Sequence, residues 1–535
     1  MKKSKFFLLA LVISVVLCGC GSRKEEDNKT QKKESNSQTQ TEGSGEDSST
    51  ETKVYGGSVI VGITQDLDSL DPHKAVAAGT EEVLFNIYEG LVKPDRDGNL
   101  IPAVAESYTM SEDGMIYTFS LRENIKFHDG TPVTSEDVIY SIKRCAGLLE
   151  TSDPEVITVS ALSCIKEVEA LKKEGQKDQI QITLNEPNTE LICYFTCAIV
   201  PEHIKDLGQN PIGTGPFRFV SYTPLQKFVI EKNKDYYLEG VPYLDEVTFK
   251  ISANTDSAFL ELSAGGIDIF PYLTSEQANQ IPDTFEVKTG TMNLVQGLFL
   301  NNKKAPFDQK EVRQALFYAI DAQQILDMVG GGAGNIIRTN MFSSFSKYYN
   351  TQLDMTYSYN IEKAKELLKQ AGYPDGFSFT IQVPSNYQYH VDTAQVIVEQ
   401  LKQVGITAKI QLIEWSSWLS NVYKAREYEA TIVGLDANLA PSDVLKRYCS
   451  KASNNFLNYE NLDFDEVYTK AVSTISDEEK VTFYKDLQRI LNEDAASVYI
   501  QDPPLLVAVN KKLSGYTFYP VYVQDMATIY YKNAQ

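Results

Sequence analysis

The chain has 535 residues, a formal net charge of −22 and a hydrophobic content of 42%. So negative a balance argues against nucleic acid or an anionic lipid surface as a partner of the folded part, because both require a basic footprint. The length exceeds what one hydrophobic core normally organises, so two or more lobes are expected.

The N-terminus has the pattern of a bacterial lipoprotein signal. Three lysines precede an apolar run at residues 6–17, and Cys20 closes the string Leu-Cys-Gly-Cys. The apolar run is too short to span a bilayer as a mature helix. The pattern predicts a signal peptide at residues 1–19 and lipidation of Cys20. An ordinary secretory signal with an incidental thiol at this position is the alternative.

The segment after Cys20 is predicted to be a tether. Residues 21–53 contain no aliphatic or aromatic side chain, so nothing in them offsets the entropy of ordering the chain. A flexible chain of about 35 residues spans on the order of 30–35 Å. We expect residues 20–53 to hold the folded body at the extracellular face of the cell membrane, and their length suits a Gram-positive wall.

The first half of the body has the texture of an α+β fold. Short alternating runs and amphipathic stretches follow one another, separated by glycine and proline turns. The predicted elements are a strand at 58–63, a helix that ends at Gly90, strands at 116–121 and 125–127, a helix at 135–144 and a strand-rich block at 211–251.

The second half alternates strands and helices. The predicted elements are a helix at 310–320, a strand at 377–383, a helix at 391–404, a strand at 406–413, a helix at 415–423 and a strand at 429–435. From residue 377 onward this is a βαβαβ pattern, and its crossovers are long enough for parallel pairing.

Polar and aromatic residues follow the ends of these strands. In open α/β sheets, ligands bind at the carboxyl ends of the strands. The sequence therefore predicts a cleft lined by Tyr387, Tyr389, Trp415, Trp418 and Asp436. Trp418 lies on a predicted helix and is the member most expected to belong to the core.

Five cysteines follow the signal. They are Cys145, Cys164, Cys193, Cys197 and Cys449. Cys193 and Cys197 have a metal-like spacing with His203, but no fourth ligand is near in sequence and the surroundings are apolar, which favours buried thiols. A disulfide between Cys145 and Cys164 is an alternative that the sequence leaves open.

No catalytic motif is found in the body. The nucleophile elbow, the zinc-protease motif and the phosphate loop are absent. The glycine run at 330–334 follows a helix, whereas phosphate loops follow a strand. Asp463 and Asp465 would suit a glycosidase pair, but a solvated acidic face explains them more simply. We expect no enzymatic activity, no cofactor and no metal site.

Several strings occur together in a known order. They include Gly-Gly-Ser-Val-Ile-Val-Gly at 56–62, Lys-Phe-His-Asp-Gly-Thr-Pro at 126–132, Gly-Thr-Gly-Pro-Phe at 213–217, Val-Arg-Gln-Ala-Leu at 312–316 and Ala-Gly-Tyr-Pro at 371–374. In order and spacing, the chain resembles the family 5 extracellular solute-binding proteins, the oligopeptide- and dipeptide-binding components of ABC importers.

The resemblance implies an α/β, two-lobed periplasmic-binding-protein-like fold (type II, cluster C-like), with an extra α+β domain on the first lobe. The implied boundaries are 54–100, 201–297 and 500–535 for the first lobe, 101–200 for the extra domain, 298–499 for the second lobe, and 298–301 and 498–501 for the hinge strands.

The resemblance also implies a role. A monomer anchored to the membrane would capture a peptide between closing lobes and deliver it to the transmembrane permease. In peptide-binding members an aspartate after a strand of the second lobe receives the ligand's amino group, and Asp436 matches that position. Gly434, Leu435, Asn438 and Asn86 complete the predicted ligand-binding set.

Other ligands and other classes of protein remain as alternatives. Relatives also carry oligosaccharides, opines and metal complexes, and a fold alone does not choose among them. An extracellular hydrolase and a chaperone or adhesin lipoprotein are the alternatives from other classes.

Overall fold

The computed structural model describes residues 53–150, 153–171, 177–436 and 439–533. The predicted signal peptide, Cys20 and Asn438 lie outside these residues, as does the predicted tether apart from Lys53. Within the described ranges, no helix is long and apolar enough to cross a membrane.

The described residues form strands and helices throughout. The strands are β1 Lys53–Val54, β2 Ser58–Ile63, β3 Val92–Pro94, β4 Leu100–Pro102, β5 Ala105–Met110, β6 Ile116–Leu121, β7 Ile165–Leu171, β8 Gln179–Leu184, β9 Phe217–Thr223, β10 Lys227–Lys232, β11 Glu246–Ile251, β12 Ile269–Phe270, β13 Phe285–Thr291, β14 Val295–Leu300, β15 Asn335–Ile336, β16 Ser378–Pro384, β17 Thr407–Ile413, β18 Ala430–Leu435, β19 Val498–Asp502, β20 Pro504–Asn510, β21 Leu513–Ser514 and β22 Tyr530–Lys532. The α-helices are α1 Ala78–Leu84, α2 Ser135–Ala146, α3 Thr255–Ser263, α4 Ser275–Ala278, α5 Lys310–Ala319, α6 Ala322–Val329, α7 Ile361–Gln370, α8 Gln388–Leu401, α9 Trp415–Ser417, α10 Pro441–Lys446, α11 Leu462–Ser473 and α12 Asp477–Glu493.

The first lobe is built on a seven-stranded mixed sheet in the order β13-β20-β12-β2-β11-β10-β9. β2 has the predicted bounds and runs parallel to both of its neighbours. Helix α1 packs Val83 and Leu84 onto the core of this lobe. It ends at Leu84, before the predicted Gly90, because the next carbonyls, of Asn86 and Ile87, accept hydrogen bonds from Phe217 and Gly215 instead of continuing the helix.

The extra domain contains a four-stranded antiparallel sheet in the order β5-β6-β8-β7. Along β6 and β8 buried and partly exposed side chains alternate, which is the pattern of strands that pack one face on a core. Helix α2 covers this sheet; a capping box of Thr134 and Asp137 starts it, and Gly147 in the left-handed region ends it. The predicted strand at 125–127 is only a single bridge, between Lys126 and Pro132.

The second lobe is built on a six-stranded sheet in the order β15-β19-β14-β18-β16-β17. β16 runs parallel to β17 and to β18, so the predicted βαβαβ unit is confirmed. Helix α8 makes the first crossover, and α9 with the wide helical turn Trp418–Lys424 makes the second. The two-lobed α/β fold with an extra α+β domain is confirmed.

Two adjacent connections join the lobes. Residues 292–294 link β13 to β14, and Pro503 links β19 to β20. The backbone N–H of Met292 donates to the Pro503 carbonyl (2.9 Å), and that of Leu294 donates to Asp502 Oδ1 (3.1 Å). The predicted hinge segments at 298–301 and 498–501 lie several residues further into the second lobe.

Candidate ligand-binding cleft

A cavity of about 530 Å³ lies where the two lobes and the extra domain meet, and we call it the outer cavity. The first lobe contributes α1 and a segment near the C-terminus, while the second lobe contributes α10 and the residue that follows β18. The lining residues are Val76, Ala78, Glu81, Ser160, Asp436, Asp443, Lys446, Arg447, Ser453, Asn454, Val521 and Tyr522. A volume of this size suits a small ligand.

Two carboxylates from opposite lobes approach each other in the outer cavity. Glu81 lies in the first turn of α1, and Asp436 follows the last residue of β18. Both side chains are accessible to water in the cavity. The surrounding protein and then the negative charge of Asp436 raise the pKa of Glu81 to about 7, with Asp68 a weaker contributor. A cation between Glu81 and Asp436 would relieve this repulsion.

The outer cavity also has two basic residues in its wall. Lys446 ends α10 and Arg447 follows it. Arg447 Nη2 donates to the Asp436 carbonyl (3.4 Å), and its buried Nε has no hydrogen-bond partner among the described residues. A guanidinium in the wall of a cavity is suited to binding a carboxylate. The outer cavity thus offers opposite charges to the two ends of a zwitterion.

Three of the predicted aromatic residues, Tyr387, Trp415 and Trp418, form a column and are not part of the lining of the outer cavity. The rings of Trp415 and Trp418 stack at 4.9 Å, and Tyr387 meets Trp415 edge-on at 5.4 Å. Trp418 is buried and its Nε1 donates to Thr431 Oγ1 (2.9 Å), so it is a core residue. Tyr387 is 42% exposed. Its hydroxyl is close enough to contribute weakly to the raised pKa of Tyr522, which burial and Asp436 dominate.

Tyr389 belongs to the interior of the second lobe. It is partly buried, and its hydroxyl lies 3.5 Å from Gln501 Oε1. Gln501 in turn donates to Gln296 (2.7 Å), which contacts the buried His390 (2.8 Å). Burial lowers the pKa of His390 to about 4. This chain of polar groups connects β14 and β19 with α8 and does not face the outer cavity.

Three of the predicted ligand-binding residues have structural roles. The Gly434 N–H donates to His390 Nε2 (3.0 Å), and a Cβ on Gly434 would lie 1.6 Å from the side chain of Leu294. Leu435 is buried in the core of the second lobe. These contacts explain why a glycine and an apolar residue precede Asp436.

Asn86 is the third of these residues. It is fully buried, and its amide donates to the carbonyls of Val83 (3.1 Å) and Gln524 (2.7 Å) while its Oδ1 accepts from the Met526 N–H (2.9 Å). The side chain of Asn86 joins two distant segments of the first lobe and leaves no polar atom for a ligand.

Of the residues that line the outer cavity, the sequence predicted only Asp436. Those it missed include Glu81, Lys446, Arg447 and Tyr522. Glu81 looks like an ordinary first-turn acid of a helix. Lys446 and Arg447 follow Asp436 closely in sequence, and this proximity could have suggested a basic site for the ligand's carboxylate beside the acidic site for its amine. The tyrosine-rich segment at 516–522 was the available signal for Tyr522, because tyrosine is enriched at recognition surfaces.

The cysteines form neither the metal site nor the disulfide considered above. Among the described residues, no group of three or more possible metal ligands is found. All five cysteines are free thiols. Cys145 contacts Cys197 rather than Cys164, and this contact together with burial raises the pKa of the Cys145 thiol.

Another carboxylate, that of Glu190 in the extra domain, is hydrogen-bonded to the second lobe. Glu190 accepts hydrogen bonds from the Tyr484 hydroxyl and from the Ser442 N–H (3.1 Å). Beside it, Lys480 donates to Thr189 Oγ1. Burial raises the pKa of Glu190, although these donors oppose the shift. This contact holds the extra domain to the second lobe.

Comparison with known proteins identifies the family. Residues 99–456 match the bacterial extracellular solute-binding proteins, family 5 Middle. The chain belongs to this family.

Relatives of known specificity cover most of the chain. The oligopeptide-binding protein AppA of Bacillus subtilis is 27% identical over 498 residues, which are 87% of this chain and 90% of the relative. The glutathione-binding protein GsiB of Pectobacterium atrosepticum is 28% identical, covering 86% and 91%. The periplasmic binding protein DppA of Helicobacter pylori, in complex with the peptide STSA, superposes with a TM-score of 0.74 and 27% identity over 90% of this chain and 99% of that one.

Proposed function

We propose that this protein is the extracellular substrate-binding component of an ABC importer and that its ligand is a short peptide with a free amino group. The ligand binds between the lobes, and the closed complex delivers it to the transmembrane permease. The protein acts as a monomer and catalyses no reaction. Relatives that bind oligopeptides and glutathione support this proposal.

The arrangement of charge in the outer cavity carries the proposal. The ligand's ammonium lies between Glu81 and Asp436, and its carboxylate approaches Lys446 and Arg447. A buried ammonium requires a facing carboxylate, because an unpaired charge in a cleft is costly. A neutral oligosaccharide would leave both pairs of charges without a partner.

Calorimetric titration tests this assignment with a tripeptide and its N-acetylated form. Loss of one member of a buried charged pair costs about 2–5 kcal/mol, so Asp436→Ala is expected to weaken binding of the free tripeptide by about 30-fold or more. Asp463→Ala, at an exposed acid of α11, is the matched control and should bind as the parent does. Equal affinity of the parent for both peptides would refute recognition of the amine.

The membrane anchor is a separate part of the proposal and has its own test. Cleavage before Cys20 and lipidation of its thiol would keep the protein on the extracellular face of the membrane. The Cys20→Ala variant should therefore be released into the medium with unchanged affinity for peptide. Membrane retention equal to that of the parent would contradict the anchor without affecting the ligand assignment.

A further inference from the structure

A second cavity adjoins the outer one, mainly between the first lobe and the extra domain, and we call it the inner cavity. Its volume is about 420 Å³, and it shares Glu81, Val521 and Tyr522 with the outer cavity. A ligand whose ammonium lies at Glu81 therefore has the entrance of the inner cavity directly beside it.

Apolar side chains form much of the wall of the inner cavity. They come from every part of the molecule that meets there, and examples are Leu84 and Phe85 of the first lobe, Val159 of the extra domain and Leu439 of the second lobe. The thiols of Cys145 and Cys193 add polarisable sulfur. The contact with Cys197 and then burial raise the pKa of Cys145, and burial raises the pKa of Cys193, so both thiols are uncharged at neutral pH. Sulfur and aliphatic groups together favour contact with an aromatic or large aliphatic group.

Apart from Glu81, which the two cavities share, the charged groups Lys93 and Glu89 in this wall already have partners. Lys93 Nζ donates to Glu89 Oε1 (2.7 Å), which also accepts from the hydroxyls of Tyr236 (2.7 Å) and Tyr237 (3.0 Å). A charged ligand group in this cavity would have to displace one of these bonds or remain unpaired.

His73, also in this wall, has partners on both ring nitrogens. Nδ1 accepts from Arg144 (2.9 Å), and Nε2 donates to the Ala198 carbonyl (2.9 Å). Arg144 is itself paired with Asp71 at 2.6 Å. Burial, followed by the charge of Arg144, lowers the pKa of His73 to about 4, so the ring is neutral at pH 7. Beyond Glu81 at the shared wall, the inner cavity therefore presents uncharged surface and polar groups that already have hydrogen-bond partners.

We propose that the inner cavity is a specificity pocket for one large, uncharged side chain carried by the first or second residue of the peptide. This inference rests on the function proposed above and adds the class of peptide. The ligand's ammonium binds at Glu81 in the shared wall, and the adjacent side chain enters the inner cavity. A third or later residue lies in the outer cavity, outside the inner one.

Titration of the parent protein with tripeptides tests the pocket without any substitution. The peptides are Ala-Ala-Ala and its variants with Phe at each position in turn, and with Asp or Lys at the first two. Burying the additional apolar surface of a phenyl ring is expected to strengthen binding by about 10- to 100-fold over Ala. Asp and Lys at the same positions should bind no better than Ala.

A cavity-filling variant tests the location. Val159→Trp places an indole in the inner cavity and should bring the ratio of Phe-peptide to Ala-peptide affinity to within about threefold of one. Val220→Trp, on an exposed position of β9 and 45% exposed in the parent, is the matched control and should keep the parent ratio. If Val159→Trp does not fold, the peptide series on the parent still decides.

The outcomes separate this proposal from the function on which it rests. If Ala-Ala-Ala binds through Asp436 but Phe gives no gain at the first two positions, or gains only at the third, the specificity pocket is refuted and peptide binding stands. If Val159→Trp folds and keeps the parent's preference for Phe, the pocket lies elsewhere. If no peptide binds at all, both proposals are refuted.

Discussion

Two acidic sites border the second lobe, and they are built in opposite ways. Glu190 is 4% exposed and has two hydrogen-bond donors supplied by the second lobe. Glu81 and Asp436 are accessible to water and oppose each other, and no side-chain hydrogen bond joins either of them to another described residue. A carboxylate whose hydrogen bonds are supplied by the protein holds the structure together, whereas two carboxylates that face each other without such donors favour a cation between them.

Burial raises the pKa of both Glu190 and Glu81, but the neighbouring groups act in opposite directions at the two sites. Burial raises the pKa of Glu190, and the hydroxyl and N–H donors counteract it by stabilising the ionised form. At Glu81 the next contribution is the charge of Asp436, which raises the pKa further. The free energy stored in this repulsion is available to a cationic ligand.

The largest expected effect comes from removing the satisfied carboxylate. Glu190→Ala leaves the buried Tyr484 hydroxyl and the Ser442 N–H without their acceptor. Hydrogen bonds to a charged group contribute about 1.5–3 kcal/mol each, so we expect a loss of about 3–5 kcal/mol in the free energy of unfolding. Thermal and urea unfolding measure it, and Glu186→Ala, at an exposed site in the same segment, is the control. A Tm equal to that of the parent would show that this contact is not structural.

A smaller loss of stability is expected from Gly434→Ala. The new methyl group would overlap Leu294 in the connection between the lobes, and overpacking of this kind costs about 1–3 kcal/mol. The combined variant Gly434→Ala, Leu294→Ala should regain part of the loss in urea unfolding. An additive loss in the combined variant would mean that another contact requires the glycine.

Because the pKa of Glu81 is raised beside Asp436, we expect peptide binding to depend on pH. A raised pKa means that Glu81, at about 7, is mostly protonated at pH 6, and an ammonium binds only the ionised form well. Peptide affinity should therefore rise by about 5- to 10-fold from pH 6 to pH 7.5, and fall above about pH 8 as the α-amino group of the peptide loses its proton. Binding lowers the pKa of Glu81 and releases a proton below pH 7.5, which calorimetry in buffers of different ionisation enthalpy detects.

Two substitutions test whether Glu81 is the group responsible for this pH dependence. Glu81→Gln should flatten the rise between pH 6 and pH 7.5, and Glu112→Gln, at an exposed site of the extra domain, should leave it unchanged. The neighbouring Glu82 is buried and has a pKa raised to about 7 by that burial. If peptide affinity still rises between pH 6 and pH 7.5 in Glu81→Gln, the titrating group is Glu82 and the assignment to Glu81 is wrong.

Local sequence patterns predicted the βαβαβ unit of the second lobe well because the strands that pair within this unit are close together in the sequence. The strands β16, β17 and β18 and the helix α8 each follow from an apolar run or a helical stripe, and parallel pairing follows from the crossover length. Asp436 was predicted by the same logic, as the residue after a strand. The outer cavity indeed has Asp436 in its wall.

The errors have a common physical origin. Asn86 bonds to segments 438 and 440 residues away, and no local pattern shows that a polar side chain is already satisfied. The pKa of Glu81 becomes unusual because the fold surrounds the side chain with protein and brings Asp436 toward it. The sequence indicates which residues follow strands, but the partners that decide between structure and binding are set by contacts between distant segments.

The smallest expected effect concerns the aromatic column beside the outer cavity. The chain has two tryptophans, and Trp415 is the one with partial exposure while Trp418 is buried. Trp415 contacts Tyr387 and not the outer cavity itself. Because an aromatic pair contributes about 0.5–1.5 kcal/mol, Trp415→Phe should change peptide affinity by less than about tenfold. The fluorescence change on binding should disappear in Trp415→Phe and persist in Trp418→Phe, which in turn should lower the Tm by removing the hydrogen bond to Thr431. An affinity loss of 30-fold or more in Trp415→Phe, comparable to that of Asp436→Ala, would place the column in direct contact with the ligand. It would contradict the assignment of peptide binding to the charged residues of the outer cavity alone.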